Sequence, residues 1–294
     1  MEQFKHVGVI GRLGSAEVVE TLKRLKKFLL SEGVHVILDK PLADVLPGHG
    51  LQVCSHNMMG EVCDLVVVIG GDGSMLAAAR ALARYRVPVL GINRGRLGFL
   101  TDIHPDEIEQ RVGEVLAGKY IMESRFLLQA VVKRQGQPIG QSDALNDVVL
   151  HPGKVARMIE FEVYIEGQFV YSQRADGLII STPTGSTGYS LSGGGPIMHP
   201  KLDAIVVVPM FPHTLTSRPL VVDGNTEIKI AISGHNTTYP QVICDGQVHI
   251  PASPSDTITV AKKPQRLKLI HPLNHNYYEV CRRKLGWGNR LGEG

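Results

Sequence analysis

One stretch constrains the fold more than any other: Leu65-Val66-Val67-Val68-Ile69, followed at once by Gly70-Gly71-Asp72-Gly73-Ser74. Five successive apolar residues, four of them Val or Ile, predict a strand buried on both faces, as in a parallel sheet. Parallel strands need crossover helices, and the alanine-rich stretch from Met75 to Tyr85 supplies one. The turn between strand and helix holds three glycines around one aspartate. Such a turn lets backbone N–H groups approach a phosphate, and the helix N-terminus adds positive potential. A carboxylate repels phosphate, so Asp72 either holds the turn as a helix cap or takes part in chemistry.

The surrounding pattern supports an α/β domain over residues 1–125. Strand 6–10 precedes a helix that Ser15 is expected to cap, with Val19, Leu22, Leu25 and Leu29 on one face and an end near Gly33. Strands follow at 35–38 and 87–92, and Pro105 opens a helix carrying Ile108, Val112, Val115 and Leu116, closed by Gly118. Residues 41–60 carry no assignable pattern.

From Phe126 the period changes to two: Ile159, Phe161, Val163 and Ile165 alternate with Glu160, Glu162, Tyr164 and Glu166. Short strand candidates recur at 169–171, 178–180, 204–208, 220–222, 227–232, 241–244, 247–250 and 257–260, and Asp245-Gly246 has the residue types of a type I′ hairpin turn. This predicts a β-rich, sandwich-like domain over 126–270. The tail, 271–294, contains an amphipathic helix at 276–285 and is expected to return to the first domain.

Charge and composition narrow the function. A formal net charge of +3 is too small to argue for nucleic acid. No apolar run approaches the ~18 residues that span a bilayer, and no leader-like series precedes the first strand, so the chain reads as cytoplasmic. Four scattered cysteines form no CxxC pair and read as reduced, packed thiols. His271 and His275 are four apart, but Pro272 between them excludes a helix, so no metal site is predicted. The Arg282-Arg283-Lys284 run reads as a solvated helix face.

The glycine turn is neither a P-loop, since no GxxxxGK[ST] occurs, nor a dinucleotide fingerprint, since Leu76 stands where the third glycine or alanine belongs. Three further segments offer polar contacts. Asn93-Arg94-Gly95-Arg96-Leu97-Gly98 ends a strand, where ligands of open α/β sheets bind, or else it is a glycine turn with two solvated arginines. Asn146-Asp147 offers donor and acceptor together, as a ribose diol or adenine edge requires, though the same pair is common at strand entries. Arg174-Ala175-Asp176-Gly177 leads into a strand and then the segment 182–196, which packs five glycines and six Ser or Thr hydroxyls into fifteen residues. That segment suits an uncharged polar site better than a linker.

In that order, Gly70-Gly71-Asp72-Gly73, Asn146-Asp147 and the loop from Thr184 to Pro196 resemble the NAD kinase family, with Asn93-Arg94, Gly98-Phe99-Leu100, residues 146–154 and the closing Lys284-Leu285-Gly286-Trp287 extending the likeness over nearly the whole chain. The Gly-Gly-Asp-Gly turn alone is shared with phosphofructokinases and diacylglycerol kinases. The resemblance implies a Rossmann-like N-terminal α/β domain with a β-rich C-terminal domain, assembled as a homodimer or homotetramer. It implies transfer of phosphate from ATP to the 2′-hydroxyl of the adenosine ribose of NAD, with a divalent cation, Mg²⁺ held chiefly by ATP phosphates. It casts Asp72 as the proton acceptor, flanked by Gly71 and Gly73. Around the dinucleotide it places Asn93, Asn146, Asp147, Arg157, Arg174, Asp176, Thr187, Gly188, Tyr189, Ser190, Leu191 and Ser192, with Gln247 nearby. The chain departs from the commoner pattern at Gly188 and Gly193, where alanine is usual, and at Asp147, one methylene shorter than the frequent glutamate. The rival readings are a lipid or sugar kinase sharing only the turn, and a non-catalytic NAD(P)-binding regulator.

Overall fold

The computed structural model describes residues 4–11, 16–94, 98–153 and 157–287. The expected Ser15 cap, Gly95, Arg96, Leu97 and Lys154 lie outside the described residues. The chain divides into two compact units, Met1–Ser124 with Leu267–Gly294, and Arg125–Arg266. No helix among the described residues is long and apolar enough to cross a membrane.

The first unit contains β1 (His6–Gly11), α1 (Ala16–Ser31), β2 (His35–Asp39), α2 (Lys40–Asp44), β3 (Gln52–Cys54), α3 (His56–Val62), β4 (Leu65–Gly70), α4 (Asp72–Leu82), β5 (Pro88–Asn93) and α5 (Ile108–Leu116). Its strands run in the order β5-β4-β1-β2-β3, all parallel, and residues 268–270 of a later strand extend the sheet beside β5. This is the doubly wound 3-2-1-4-5-6 order, with its topological switch point between β1 and β4. β4 is buried along its whole length, as the unbroken apolar run requires. Leu65, Val67 and Ile69 join Leu22, Leu25 and Leu29 of α1 and Ile108, Val112 and Val115 of α5 in one core. On the opposite face, Gly8 of β1 leaves room for Met59 and Cys63: a Cβ there would meet their sulfurs at 3.2 and 3.1 Å.

Helix α1 buries Val18 rather than Val19, which is only partly covered. The set 18, 22, 25, 29 keeps i, i+4, i+7, i+11 spacing and so lies along one stripe. The segment without a sequence pattern holds two short helices and a three-residue strand. Their signals are caps: Asp39 accepts from the Leu42 amide at 3.1 Å, and Ser55 from Met58 at 3.3 Å.

The second unit is built from the part of β6 (Tyr120–Arg134) that follows Ser124, β7 (Gln137–Ala144), β8 (Asp147–His151), β9 (Ile159–Ile165), β10 (Gln168–Ala175), β11 (Gly177–Ser181), α6 (Tyr189–Ser192), β12 (Ala204–Met210), β13 (Leu220–Asp223), β14 (Ile228–Ile232), β15 (Gln241–Cys244), β16 (Val248–Pro251) and the first part of β17 (Thr257–Pro272), whose end lies in the first unit with α7 (Tyr277–Leu285). One sheet places β10-β9-β14-β17 side by side, and β6 pairs with β7 and β17; the other runs β13-β12-β11-β8-β15-β16. Both contribute to one core: Phe161 and Val163 from β9 and Ile230 from β14 join Val148, Leu150, Leu178, Ile180 and Val207 of the second sheet. The predicted sandwich is thus the observed one. The Asp245-Gly246 turn closes as expected, with φ of 53° and 65° and the Gln247 amide donating to the Cys244 carbonyl at 3.0 Å. Phe161 is among the largest fully buried side chains. Phe161→Ala is expected to lower stability by about 3–5 kcal/mol, read as a shift of the denaturant midpoint.

Candidate functional site

The predicted residues fall into two groups, one in each unit. In the first unit, Gly70 and Asn93 are register partners at the carboxyl ends of β4 and β5, the end where doubly wound sheets take ligands. Gly71, not Asp72, is the N-cap of α4, and it makes no side-chain cap bond. Asp72 is the first helical residue, and its carboxylate reaches the loop after β5: Oδ2 accepts from the Phe99 amide at 3.0 Å and Oδ1 from the Leu100 amide at 2.9 Å. The helix-cap reading of Asp72 is therefore corrected; the carboxylate ties the turn to residues 27 and 28 positions away. Gly98 permits this approach, because a Cβ there would overlap both Asp72 Oδ1 and Thr101 Oγ1.

Asn93 is buried, its backbone amide donates to the Ile103 carbonyl at 2.8 Å, and its Oδ1 has no hydrogen-bond partner among the described residues. Around Gly71 the space is open, since a Cβ there would meet nothing described within 4 Å. Gly73 follows it, exposed, in the first turn of α4. The alternative of a solvated arginine does not hold for Arg94: its side chain is mostly covered and pairs with Glu17 at 2.8 Å.

In the second unit, Asn146, Asp147 and Tyr189 line a cavity of about 370 Å³, together with Val149, His151, Ile243, Asp245 and Gly246. Asp245 organises it. Its carboxylate accepts from the backbone amides of Leu145, Asn146 and Asp147 at 3.1, 2.7 and 3.3 Å, and its own amide donates to the Asp147 carbonyl at 2.9 Å. Sequence reasoning saw only a hairpin turn in Asp245-Gly246. The left-handed backbone of Asp245 that makes the turn also carries this carboxylate to the strand entry about 100 residues earlier. Burial, with the neighbouring Asp245 charge, pushes the Asp147 carboxyl up from 3.8 to about 7. Below that pH Asp147 is a donor as well as an acceptor. Asn146 Oδ1 is buried with no hydrogen-bond partner among the described residues, while the Asn146 carbonyl takes the Thr182 amide and the Ser181 hydroxyl.

The polar loop is less available than its composition suggests. Thr182 Oγ1 donates to the Leu145 carbonyl at 2.6 Å and accepts from Gly185, and Ser186 bonds to the Pro183 and Met198 backbone. Thr187 donates to Thr184 at 3.5 Å, and Thr184 accepts from Arg125 at 3.3 Å. The hydroxyls that looked like ligand contacts therefore fold the loop. Ser190 differs: it is fully buried, and its Oγ has no hydrogen-bond partner among the described residues. Gly188 precedes the short helix α6, whose Leu191 is half-buried and whose Tyr189 and Ser192 are exposed. A methyl at Gly193 would press Val208 at 3.0 Å and Ile179 at 3.2 Å, so the glycine there makes room for the sheet.

Gln247 is exposed and follows the cavity-lining Gly246. Arg174 is exposed near the end of β10, and Asp176, half-buried just after that strand, donates its amide to Met210 at 2.9 Å. Arg157 is exposed and is not among the residues that line the cavity.

A doubly wound sheet with a Gly-Gly-Asp-Gly turn at its switch point, joined to a β-sandwich unit whose cavity carries Asn146, Asp147 and Asp245 in its wall, defines a two-unit protein of the Rossmann-like nucleotide-binding class. Residues 7–120 match the family model of the ATP-NAD kinase N-terminal domain, and residues 145–272 that of the ATP-NAD kinase C-terminal domain. The chain belongs to the ATP-NAD kinase family. It is 70% identical over 294 residues to a protein named NAD kinase from Pseudomonas syringae pv. syringae, covering 100% of this chain and 99% of that one. It is 71% identical to one from Azotobacter vinelandii, with 100% of both covered. The structure is similar to yeast NADH kinase complexed with NADH, with a TM-score of 0.88, 26% identity, and 99% of this chain and 90% of that one covered. An NAD kinase from Archaeoglobus fulgidus in complex with ATP shares the fold, with a TM-score of 0.74 at 24% identity over 96% of this chain and 97% of that one.

The raised Asp147 carboxyl has a consequence for stability. The folded chain keeps that proton between about pH 4 and 7, where the unfolded chain has lost it. Its contribution is therefore complete below about pH 4 and is lost as pH rises through about 7. Asp147→Asn is expected to flatten that fall, as seen by comparing denaturant midpoints at about pH 5 and about pH 8 with wild type.

Proposed function

We propose that the protein transfers the γ-phosphoryl group of ATP to the 2′-hydroxyl of the adenosine ribose of NAD, giving NADP. The observation that carries the chemistry is the Asp72 carboxylate, fixed at the head of α4 by two backbone amides at 2.9 and 3.0 Å. Each of its oxygens keeps a further lone pair, so the group can accept a hydroxyl without leaving its anchor. The substrate pair rests on family membership and on the names of the relatives. That membership also weighs against a lipid or sugar kinase and against a non-catalytic regulator.

Phosphoryl transfer asks the protein chiefly for positioning and charge stabilisation. The loose transition state leaves little charge to develop on the attacking oxygen, so the first task of Asp72 is to orient the hydroxyl, and its second is to take the proton late. The amide anchors suit the first task, since they fix the direction of the carboxylate. Gly71 and Gly73 leave the turn open to the phosphates. Asn93, with its buried, unpartnered Oδ1, stands beside that turn as a contact for the nucleotide. In the second unit Asn146, Asp147, Tyr189 and Ser190 are the polar contacts for the dinucleotide, with Thr187, Gly188, Leu191 and Ser192 shaping the loop. Gln247 lies next to the cavity; Arg157, Arg174 and Asp176 are assigned to the ends of the substrates on the resemblance alone.

Asp72 offers a hard cation at most one carboxylate, and both its oxygens already hold an amide. A magnesium ion seeks six oxygens, so the geometry fits a cation carried by the ATP phosphates, where it neutralises the triphosphate charge. Assembly as a homodimer or homotetramer in the cytoplasm belongs to the same reading.

The test is an incubation with NAD, ATP and Mg²⁺, with NADP detected by an NADP-specific dehydrogenase. Asp72→Asn is expected to lose about 10²–10⁴ in rate while still binding NAD. An Asn variant with near-full turnover removes Asp72 from the mechanism. Gly98→Ala keeps the carboxylate but displaces it, and is expected to lower kcat with little change in NAD binding. Unchanged turnover in that variant would show that aim is unimportant.

A further inference from the structure

An aspartate and a histidine pair far from it in sequence converge in the first unit, outside the residues assigned to phosphoryl transfer. Asp102 lies in the segment after β5, His271 near the end of β17, and His275 in the turn that follows. One ligand-type atom from each falls within 4.8 Å of the other two. His271 is fully buried, and the Asp102 and His275 side chains are only 11% and 7% exposed. The imidazole rings stack with centroids 3.9 Å apart and planes inclined by 23°. Both Nδ1 atoms face the one carboxylate: His271 Nδ1 is hydrogen-bonded to Asp102 Oδ2, and His275 Nδ1 lies 3.3 Å from Oδ1. Pro272 does exclude a helix, but a strand end and a turn bring the two histidines together instead.

As a hydrogen-bond network this cluster is incomplete. Asp102 faces both stacked imidazoles, and the other carboxylate, Glu123, sits 3.7 Å from His271 Nε2, beyond hydrogen-bond reach. Among the described residues Asp102 Oδ1 makes no hydrogen bond despite the nearby Nδ1, and both buried Nε2 atoms lack a hydrogen-bond partner. Each such orphan gives up its hydration without a replacement hydrogen bond. A cation held by both Nδ1 atoms and Oδ1 would use the stranded carboxylate oxygen. It would also fix both rings with the proton on Nε2, which for His271 faces Glu123 Oε2 at 3.7 Å. A carboxylate behind a ligating imidazole is the usual outer support of a metal site.

We propose that Asp102, His271 and His275 form a binding site for a late first-row transition metal ion of the Zn²⁺ type. Two imidazoles and one carboxylate suit Zn²⁺ and not Mg²⁺, which takes oxygen ligands, so this site is distinct from the cation of the nucleotide. Zinc–ligand bonds of about 2.0–2.1 Å place tetrahedral donors ~3.3 Å apart, the spacing observed between Asp102 Oδ1 and His275 Nδ1. The closer Asp102–His271 contact opens on binding. A polar cavity of about 100 Å³, lined in part by Asp102, His275, Asn276 and Glu279, leaves space for water at a fourth position. The site lies two residues beyond Leu100, whose amide holds Asp72, so an ion here clamps the segment that anchors the carboxylate.

The test uses the full, tag-free chain, stripped with a chelator and kept free of nucleotide, titrated with Co²⁺ and then with competing Zn²⁺. One equivalent of Co²⁺ is expected to give the ligand-field bands of a low-coordinate nitrogen–oxygen site, displaced by Zn²⁺. His275→Gln and Asp102→Asn are each expected to weaken Co²⁺ binding by at least about 10-fold, with the circular dichroism of the folded chain preserved. If Asp102→Asn fails to fold, His275→Gln decides alone, because Zn²⁺ should raise the thermal midpoint of wild type and not of that variant. Absence of saturable one-to-one binding in wild type, or equal binding in a folded variant, overturns the proposal.

Discussion

Burial of β4 on both faces is the constraint from which the first unit follows. A strand with no exposed side needs neighbours to left and right and helices above and below. Here β1 and β5 supply the first, while α1 and α5 cover one face, and on the other α3 packs over Gly8 of the neighbouring β1. The parallel order then places the end of β4 at the switch point, so the glycine turn sits where a doubly wound sheet accepts ligands. The position of Asp72 is thus a consequence of hydrophobic burial, and only its fine aim depends on polar contacts.

Those polar contacts share one device in both units, a carboxylate accepting amides from a distant loop. Asp72 takes Phe99 and Leu100, and Asp245 takes Leu145, Asn146 and Asp147. Hydrogen bonds to a charged acceptor are stronger than neutral ones, and they immobilise backbone rather than flexible side chains. In the second unit this has a further effect: the Asp245 charge and burial together hold a proton on Asp147 near neutral pH. In the first, it turns a residue that reads as a cap into a strut between the turn and the segment after β5. That segment also reaches Asp102, so one short stretch links the Asp72 anchor to the buried histidine pair.

The legibility of the site varied with the range of its interactions. The glycine turn, the Asn146-Asp147 pair and the hairpin at Asp245-Gly246 were readable because turn chemistry is local. The role of Asp245 was not, since its three acceptor bonds span 98 to 100 residues. The hydroxyls of the 182–196 loop misled for the same reason: composition shows what a side chain offers, not that Thr182 and Ser186 spend it on Leu145, Pro183 and Met198. His271 and His275 were set aside on helix geometry, and their convergence depends on Asp102, 169 residues away from His271.

By itself the sequence determined the fold class, through an apolar run that only a doubly covered strand tolerates and an alternation of period two that only a half-exposed sheet tolerates. It also determined the family, because three separated polar motifs recur in one order. The tertiary structure decided which of those polar groups are spent on the fold and which stay unpaired, because hydrogen-bond satisfaction in a core is settled between residues far apart in the chain. It also decided that Asp147 holds a proton and that Asp102 meets two histidines, since desolvation and charge proximity exist only once the chain has closed around them.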